Sequence, residues 1–320
     1  MSGAGRPVGL AEVTAAAQVL AGVTSTTPLV RSDALDGQLG AELRCKAESL
    51  QRTGSFKLRG AYHALHRLGA AARQRGVVAF SSGNFAQAVA CAAHLLGTSA
   101  TVVMPHDAPA AKVAATRFWG AEIVGYDRYT QDRDAIATEL ARHRDAPLVP
   151  PFDDPDVIAG QGTVALELLE QAGELDLLVV PVGGGGLAAG CVAAVAELAP
   201  GVEVVGVEPA GRPAARRALQ QREVVRLEVP TTLLDGQQTT HVGDHPLRVL
   251  LDRITVVGVE DESVVAALRA AVEQLHLVLE PSGASALAAV LDGTVPVAGR
   301  RVGIVLSGGN IDAARLAQLL

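Results

Sequence analysis

The sequence predicts an α/β protein of two open, mostly parallel sheets flanked by helices, with a cleft between two lobes. Three observations predict it. Short β-rich runs alternate with glycine turns and helical stretches, which is the rhythm of βαβ units. The run Leu175–Val182 (LDLLVVPV) is apolar enough for a strand buried on both faces of a parallel sheet. The proline-rich passage Pro147–Pro155 divides one series of such units from the next and serves as the crossover.

Taken in order, Gly76–Ser81 (GVVAFS) reads as a strand, and Gly83 opens an amphipathic helix over Asn84–Leu96. Ser99–Met104 (SATVVM) repeats the pattern, is stopped by Pro105, and leads to a helix near Ala110–Trp119. Ala121–Tyr126 is the next strand. Beyond the crossover, Leu175–Val182 runs into four glycines, Gly183–Gly186, and a helix over Leu187–Leu198. Val202–Val207 follows, and Arg301–Leu306 is the last strand. These elements divide the chain into a large lobe, residues 1–47 and 146–320, and a small mobile lobe, residues 48–145.

Composition narrows the function. Among 320 residues, 49% are apolar, so the chain folds and buries a core. Aromatic residues are 3% and the net charge is −7, which removes both the stacking platforms and the basic stripe of a nucleic-acid binder. Arg212, Arg216, Arg217 and Arg222 cluster, and they read as a solvated helix face. Cys45, Cys91 and Cys191 are odd in number and widely spaced, as in a reducing compartment without disulfides. Glu12 interrupts the apolar stretch Val8–Val23, no basic segment precedes it, and no apolar run is long enough to span a bilayer. A soluble cytoplasmic protein is expected.

Four constellations carry chemistry. Glycines 183–186 join a buried strand to a helix, so backbone N–H groups and the helix N-terminus form an anion site suited to phosphate. Gly184-x-Gly186-x-x-Ala189, with Glu208 about 20 residues on, also fits the dinucleotide fingerprint of an NAD(P)-dependent oxidoreductase. That fingerprint normally opens its domain, whereas here a whole α/β unit precedes it. Lys57 stands in Gln51-Arg-Thr-Gly-Ser-Phe-Lys-Leu-Arg-Gly60, where an aromatic backing can desolvate an amine and raise its nucleophilicity. Ser81-Ser82-Gly83-Asn84 lies between strand and helix and can bind a carboxylate, or can simply cap the helix through Ser82 or Asn84. Ser307-Gly308-Gly309-Asn310 follows the last strand, where open sheets place ligand contacts.

Together these residues resemble the fold-type II pyridoxal-phosphate enzymes, in particular the serine/threonine dehydratases and serine racemases. The matching motifs run from Thr27-Pro-Leu29 through TGSFKLRGA, SSGNFAQA, FDDPDVIAGQGT (152–163), VGGGGL, EPSGAS (280–285) and SGGNID (307–312), in family order over almost the whole chain. The resemblance implies a tryptophan-synthase-β-like fold with pyridoxal 5'-phosphate in the cleft between the lobes. It implies that Lys57 holds the cofactor covalently and Phe56 packs beside the ring. Gly183, Gly184, Gly185, Gly186 and Leu187 would cradle the phosphate, Asn84 would bond the ring hydroxyl, and Glu280 and Ser307 would complete the cofactor site. Ser81, Ser82, Gly83, Asn84 and Phe85 would take the substrate carboxylate.

The implied activity is elimination from a small β-hydroxy amino acid such as L-threonine or L-serine, giving a 2-oxo acid and ammonia in a homodimer. The alternatives are a racemase, with Ser82 as a second acid–base group, or a β-replacement enzyme. Two departures stand out. Phe85 occupies a position often held by histidine, which leaves bulkier β-hydroxy amino acids open. Glu208 lacks the second acid that accompanies it in cation-binding members, so no metal is expected. The chain runs out soon after Asp312, so the resemblance also implies no regulatory C-terminal domain.

Overall fold

The computed structural model describes residues 8–211, 213–228 and 231–320. Arg212 lies outside the described residues. Of the rest of that arginine cluster, Arg217 is exposed and Arg222 pairs with Asp252 at the surface.

The ten strands are β1 (Leu29–Val30), β2 (Glu42–Ala47), β3 (Val77–Phe80), β4 (Ala100–Pro105), β5 (Glu122–Tyr126), β6 (Leu148–Val149), β7 (Leu177–Pro181), β8 (Glu203–Pro209), β9 (Thr255–Val259) and β10 (Arg301–Leu306). They form a six-stranded sheet in the order β1-β2-β10-β7-β8-β9 and a four-stranded sheet in the order β5-β4-β3-β6. Every pairing is parallel except β1 with β2. The two mostly parallel sheets flanked by helices are the fold the sequence predicts.

Burial on both faces explains the apolar run that marked β7. Leu177 and Val179 enter one core with Val205, Val207, Ile304 and Leu306. Leu178 and Val180 enter the opposite core with Val204 and Val305. Each such side chain contributes about 1.5–3 kcal/mol by leaving water, so slipping β7 by one residue would exchange its two apolar sets between differently shaped cores. The small sheet repeats the scheme, with Ala79, Val102 and Met104 on one side and Val78, Phe80 and Val103 on the other.

All six strands expected from the sequence are present, with ends shifted by at most two residues and Arg301–Leu306 unshifted. β2 and β9 lie outside the six, as do the short β1 and β6. β6 pairs with β3 through Val78↔Leu148 and Ala79↔Val149. The small sheet therefore ends past Asp145, inside the proline-rich passage. No helix among the described residues is long and apolar enough to cross a membrane.

Candidate active site

The lysine loop is strapped to the turn after β10. Phe56 N donates to Ser307 O at 3.1 Å, Gly309 N donates to Gly54 O at 2.9 Å, and Ser55 and Gly308 form an isolated antiparallel bridge. Gly54 has φ +68°, and a Cβ there would meet Asn310 Oδ1 at 2.3 Å, so only glycine fits. The helix Lys57–Arg67 starts directly after this strap. Lys57 Nζ donates to Pro151 O at 3.2 Å and lies 4.9 Å and 5.7 Å from the ring centroids of Phe56 and Phe85. Burial pushes its amine down to about 8, only partly countered by Glu280.

Opposite lies the glycine loop. The helix Gly186–Leu198 begins on it, so the amides of its first turn have no intrahelical carbonyl and carry the positive end of the dipole. Gly185 has φ +90°. A Cβ on Gly184 would stand 2.2 Å from Cγ of Phe152, whose ring covers the loop. Behind the loop, Gln237 Nε2 donates to Val182 O at 3.0 Å and Val207 O at 2.8 Å, stapling the ends of β7 and β8.

After β3, Ser81 Oγ accepts from Gly83 N at 3.1 Å, and the helix Asn84–Leu95 starts with its first amides free. The N-cap position is Gly83, with no side-chain cap. The capping reading of Ser82 and Asn84 is therefore overturned, since Asn84 is already inside the helix and Ser82 lies one residue too early. Ser82 lines the cleft instead. The Asn84 amide is held by Glu280 Oε1, to which it donates, and by Asn310 Nδ2, which donates to its oxygen at 3.0 Å. One Asn84 amide proton remains for a ligand.

Glu280 stands at the N-cap position of the helix Pro281–Leu291 without a side-chain capping bond, and its carboxylate is buried. Lys112 Nζ donates to Glu280 Oε2 at 2.9 Å and to Asp235 Oδ2 at 2.6 Å, and the two carboxylates hold this ammonium well above its usual range. Ser307 is buried and donates weakly to Ser282 O at 3.4 Å.

Phe56, Lys57, Ser81–Phe85, Gly183–Leu187, Glu280 and Ser307 all line one cleft of about 920 Å³, counted with its solvent mouth. It thus gathers every site residue expected from the sequence. Lys112, Arg133, Phe152, Asp235 and Gln237 line it too and were not anticipated. Lys112 and Gln237 take partners far along the chain, as in Lys112 with Glu280 and Gln237 with Val182, so no local spacing marks them. An amine with lowered basicity faces an amide cradle, and two loops of free amides flank it. These residues fit a phosphorylated aldehyde cofactor.

The family comparison agrees: residues 20–308 match the family described as "Pyridoxal-phosphate dependent enzyme". This chain belongs to that family. The pyridoxal-phosphate enzyme is 46% identical over 310 residues to "L-threo-3-hydroxyaspartate ammonia-lyase" of a Pseudomonas species, covering 97% of each chain. It is 44% identical to the protein of the same name from Saccharomyces cerevisiae, covering 92% of this chain and 90% of that one. Among solved structures, maize serine racemase superposes with a TM-score of 0.93 at 34% identity, covering 98% of this chain and 97% of that one. Pyridoxal 5'-phosphate is the cofactor.

The dinucleotide reading falls with this. Glu208 does not face the glycine loop; its buried carboxylate accepts from Ala215 N at 2.7 Å and Arg216 N at 3.1 Å, capping the helix Ala214–Gln221.

Proposed function

We propose that this pyridoxal-phosphate enzyme is an ammonia-lyase of β-hydroxy amino acids whose preferred substrate is L-threo-3-hydroxyaspartate. The carrying observation is Arg133. Arg133 lines the same cleft as Lys57, its guanidinium stacked 5.3 Å over the Phe80 ring and hydrogen-bonded to the Tyr126 hydroxyl, and its ion partner is Asp134, exposed and 3.7 Å away. A cation whose ion partner is exposed and distant suits the second carboxylate of a dicarboxylic substrate. The two hydroxyaspartate lyases among the relatives support the reading.

When bound, the cofactor would supply an electron sink at the substrate Cα. Lys57, the residue that would hold it, is the amine placed to take the α-proton. The free amides of the Ser81–Phe85 loop hold the α-carboxylate, Arg133 holds the second one, and the glycine loop holds the cofactor phosphate. The hydroxyl leaves as water, and hydrolysis of the resulting enamine yields a 2-oxo acid and ammonia. Motion of the small lobe over the cleft and assembly as a homodimer belong to the same proposal.

The test is a screen of β-hydroxy amino acids, both enantiomers, for 2-oxo acid release. 3-Hydroxyaspartate should give the highest kcat/KM. Hydrogen bonds to charged groups contribute about 1.5–3 kcal/mol, so Arg133→Ala should cost roughly 10- to 100-fold on that substrate and little on serine. Equal losses on both would remove Arg133 from the specificity site.

Racemisation is a second reading, favoured by Ser82, which lines the cleft and does not cap the helix. Ser82→Ala should then abolish interconversion of enantiomers while keeping L-substrate elimination. No racemisation in the wild type would leave a lyase alone.

A further inference from the structure

The helix Pro155–Ala172 lies between the lysine helix and the phosphate-loop helix, and it touches both through glycines. A Cβ on Gly160 would meet Arg59 O at 2.6 Å, and one on Gly60 would meet Val157 O at 2.6 Å. On the other side, a Cβ on Gly190 would meet Ile158 O at 2.5 Å, and one on Gly162 would meet Gly190 O at 2.7 Å. Backbone-to-backbone contact fixes the distance between the two outer helices. Side-chain ridges that would interlock the helices are sparse here, and two further bonds tie the lysine helix to Pro155–Ala172: Gly60 N donates to Gln161 Oε1 at 3.2 Å, and His63 Nδ1 bonds Asp156 O at 2.7 Å.

Arg59 adds a buried, charged restraint to these. Its Nε and Nη2 donate to Glu48 Oε2 and Oε1, each at 2.8 Å. Its Nη1 and Nη2 donate to Glu167 Oε1 and Oε2 at 2.6 Å and 2.9 Å, and Nη1 also reaches Thr163 Oγ1 at 3.2 Å. All five N–H donors of the guanidinium are thus used. Lys46 closes the cluster on Glu167 at 2.6 Å, so two cations balance two carboxylates. Arg59, Glu48 and Lys46 are fully buried. Residues two apart on a helix point about 200° apart around its axis. Lys57 therefore faces the cleft while Arg59 is pinned at the back.

We propose that Arg59 is a positioning residue: its double fork to Glu48 and Glu167 sets the rotation and axial position of the lysine helix, and so the place of the Lys57 amine relative to the phosphate cradle. The inference rests on Lys57 being the cofactor-bearing amine. Lysine at position 59 keeps the charge and loses the planar fork, so Arg59→Lys is the informative change.

The full-length chain is stripped of cofactor and three quantities are read: thermal unfolding, competition by inorganic phosphate at the glycine loop, and the rate at which added pyridoxal 5'-phosphate becomes fixed on Lys57. The last is followed by borohydride trapping and mass spectrometry across pH. A misplacement on the order of 1 Å costs about a hundredfold in rate. In folded Arg59→Lys, attachment should therefore slow at least about tenfold at every pH, with an unmoved midpoint and phosphate affinity within about twofold. Attachment as fast as in the wild type would overturn the proposal. So would a parallel loss of phosphate affinity, which marks general loosening. Should Arg59→Lys not fold, Glu167→Gln keeps volume while weakening one fork, and attachment should slow about threefold; an unchanged rate there overturns it equally. A wild-type adduct on another lysine would instead remove the Lys57 assignment itself.

Discussion

Lys57 is a lysine whose basicity is set by what surrounds it. Two phenyl rings and a backbone carbonyl replace water around Nζ, and the amine falls to about 8. The protonated form cannot attack an aldehyde, so cofactor attachment should rise through a midpoint near 8. An ordinary lysine, with a pKa of about 10.4, would still be climbing at pH 9. Stopped-flow absorbance across pH 6.5–10 reads this midpoint, roughly two units apart for the two cases. Lys57→Ala should keep its circular dichroism and lose both attachment and turnover. The lysine was legible in the sequence because glycine, serine and phenylalanine beside it form a local motif. Lys112 was not: it sits in an ordinary alanine-rich helix, and only the fold brings Asp235 and Glu280 to it.

At the scale of elements, the glycine loop is crowded at Gly184 and Gly185. In Gly185→Ala the new Cβ would stand 2.8 Å from Pro246 Cβ and 2.9 Å from Val242 Cγ1, at φ +90°. Such strain costs about 1–3 kcal/mol. The loop can relieve it by moving its amides, so cofactor affinity should fall at least about tenfold, measured by fluorescence titration, with a smaller drop in Tm. Four glycines between strand and helix made this element plain from the residues alone. β2 was missed although its pattern was legible: Glu42, Arg44 and Lys46 alternate with Leu43, Cys45 and Ala47, the period-2 pattern of a half-buried strand. Yet Lys46 is fully buried, because Glu167, Gln171 and Thr27 O satisfy its ammonium. A charge neutralised from 121 positions away leaves no local trace.

For the whole molecule, Lys112 is a charged tie between the two sheets. It stands on the helix Ala110–Phe118 after β4 and reaches two carboxylates carried by the segments around β9 and β10. Lys112→Met leaves Glu280 buried without its counter-ion, and breaking a buried pair costs about 3–5 kcal/mol. Lower Tm, faster cofactor loss and a larger radius of gyration by X-ray scattering are expected together. An unchanged radius would mean that other contacts hold the cleft closed.

β10 is the last strand in the chain, yet it sits in the middle of the large sheet, between β2 and β7. During synthesis the chain must therefore carry two unmatched strand edges until residues 301–306 have left the ribosome. Until then Phe56 and Gly54 have no Ser307 and Gly309 to bind, and the reactive amine has no fixed address. A chain interrupted before residue 301 leaves the edges of β2 and β7 open to any other unpaired strand.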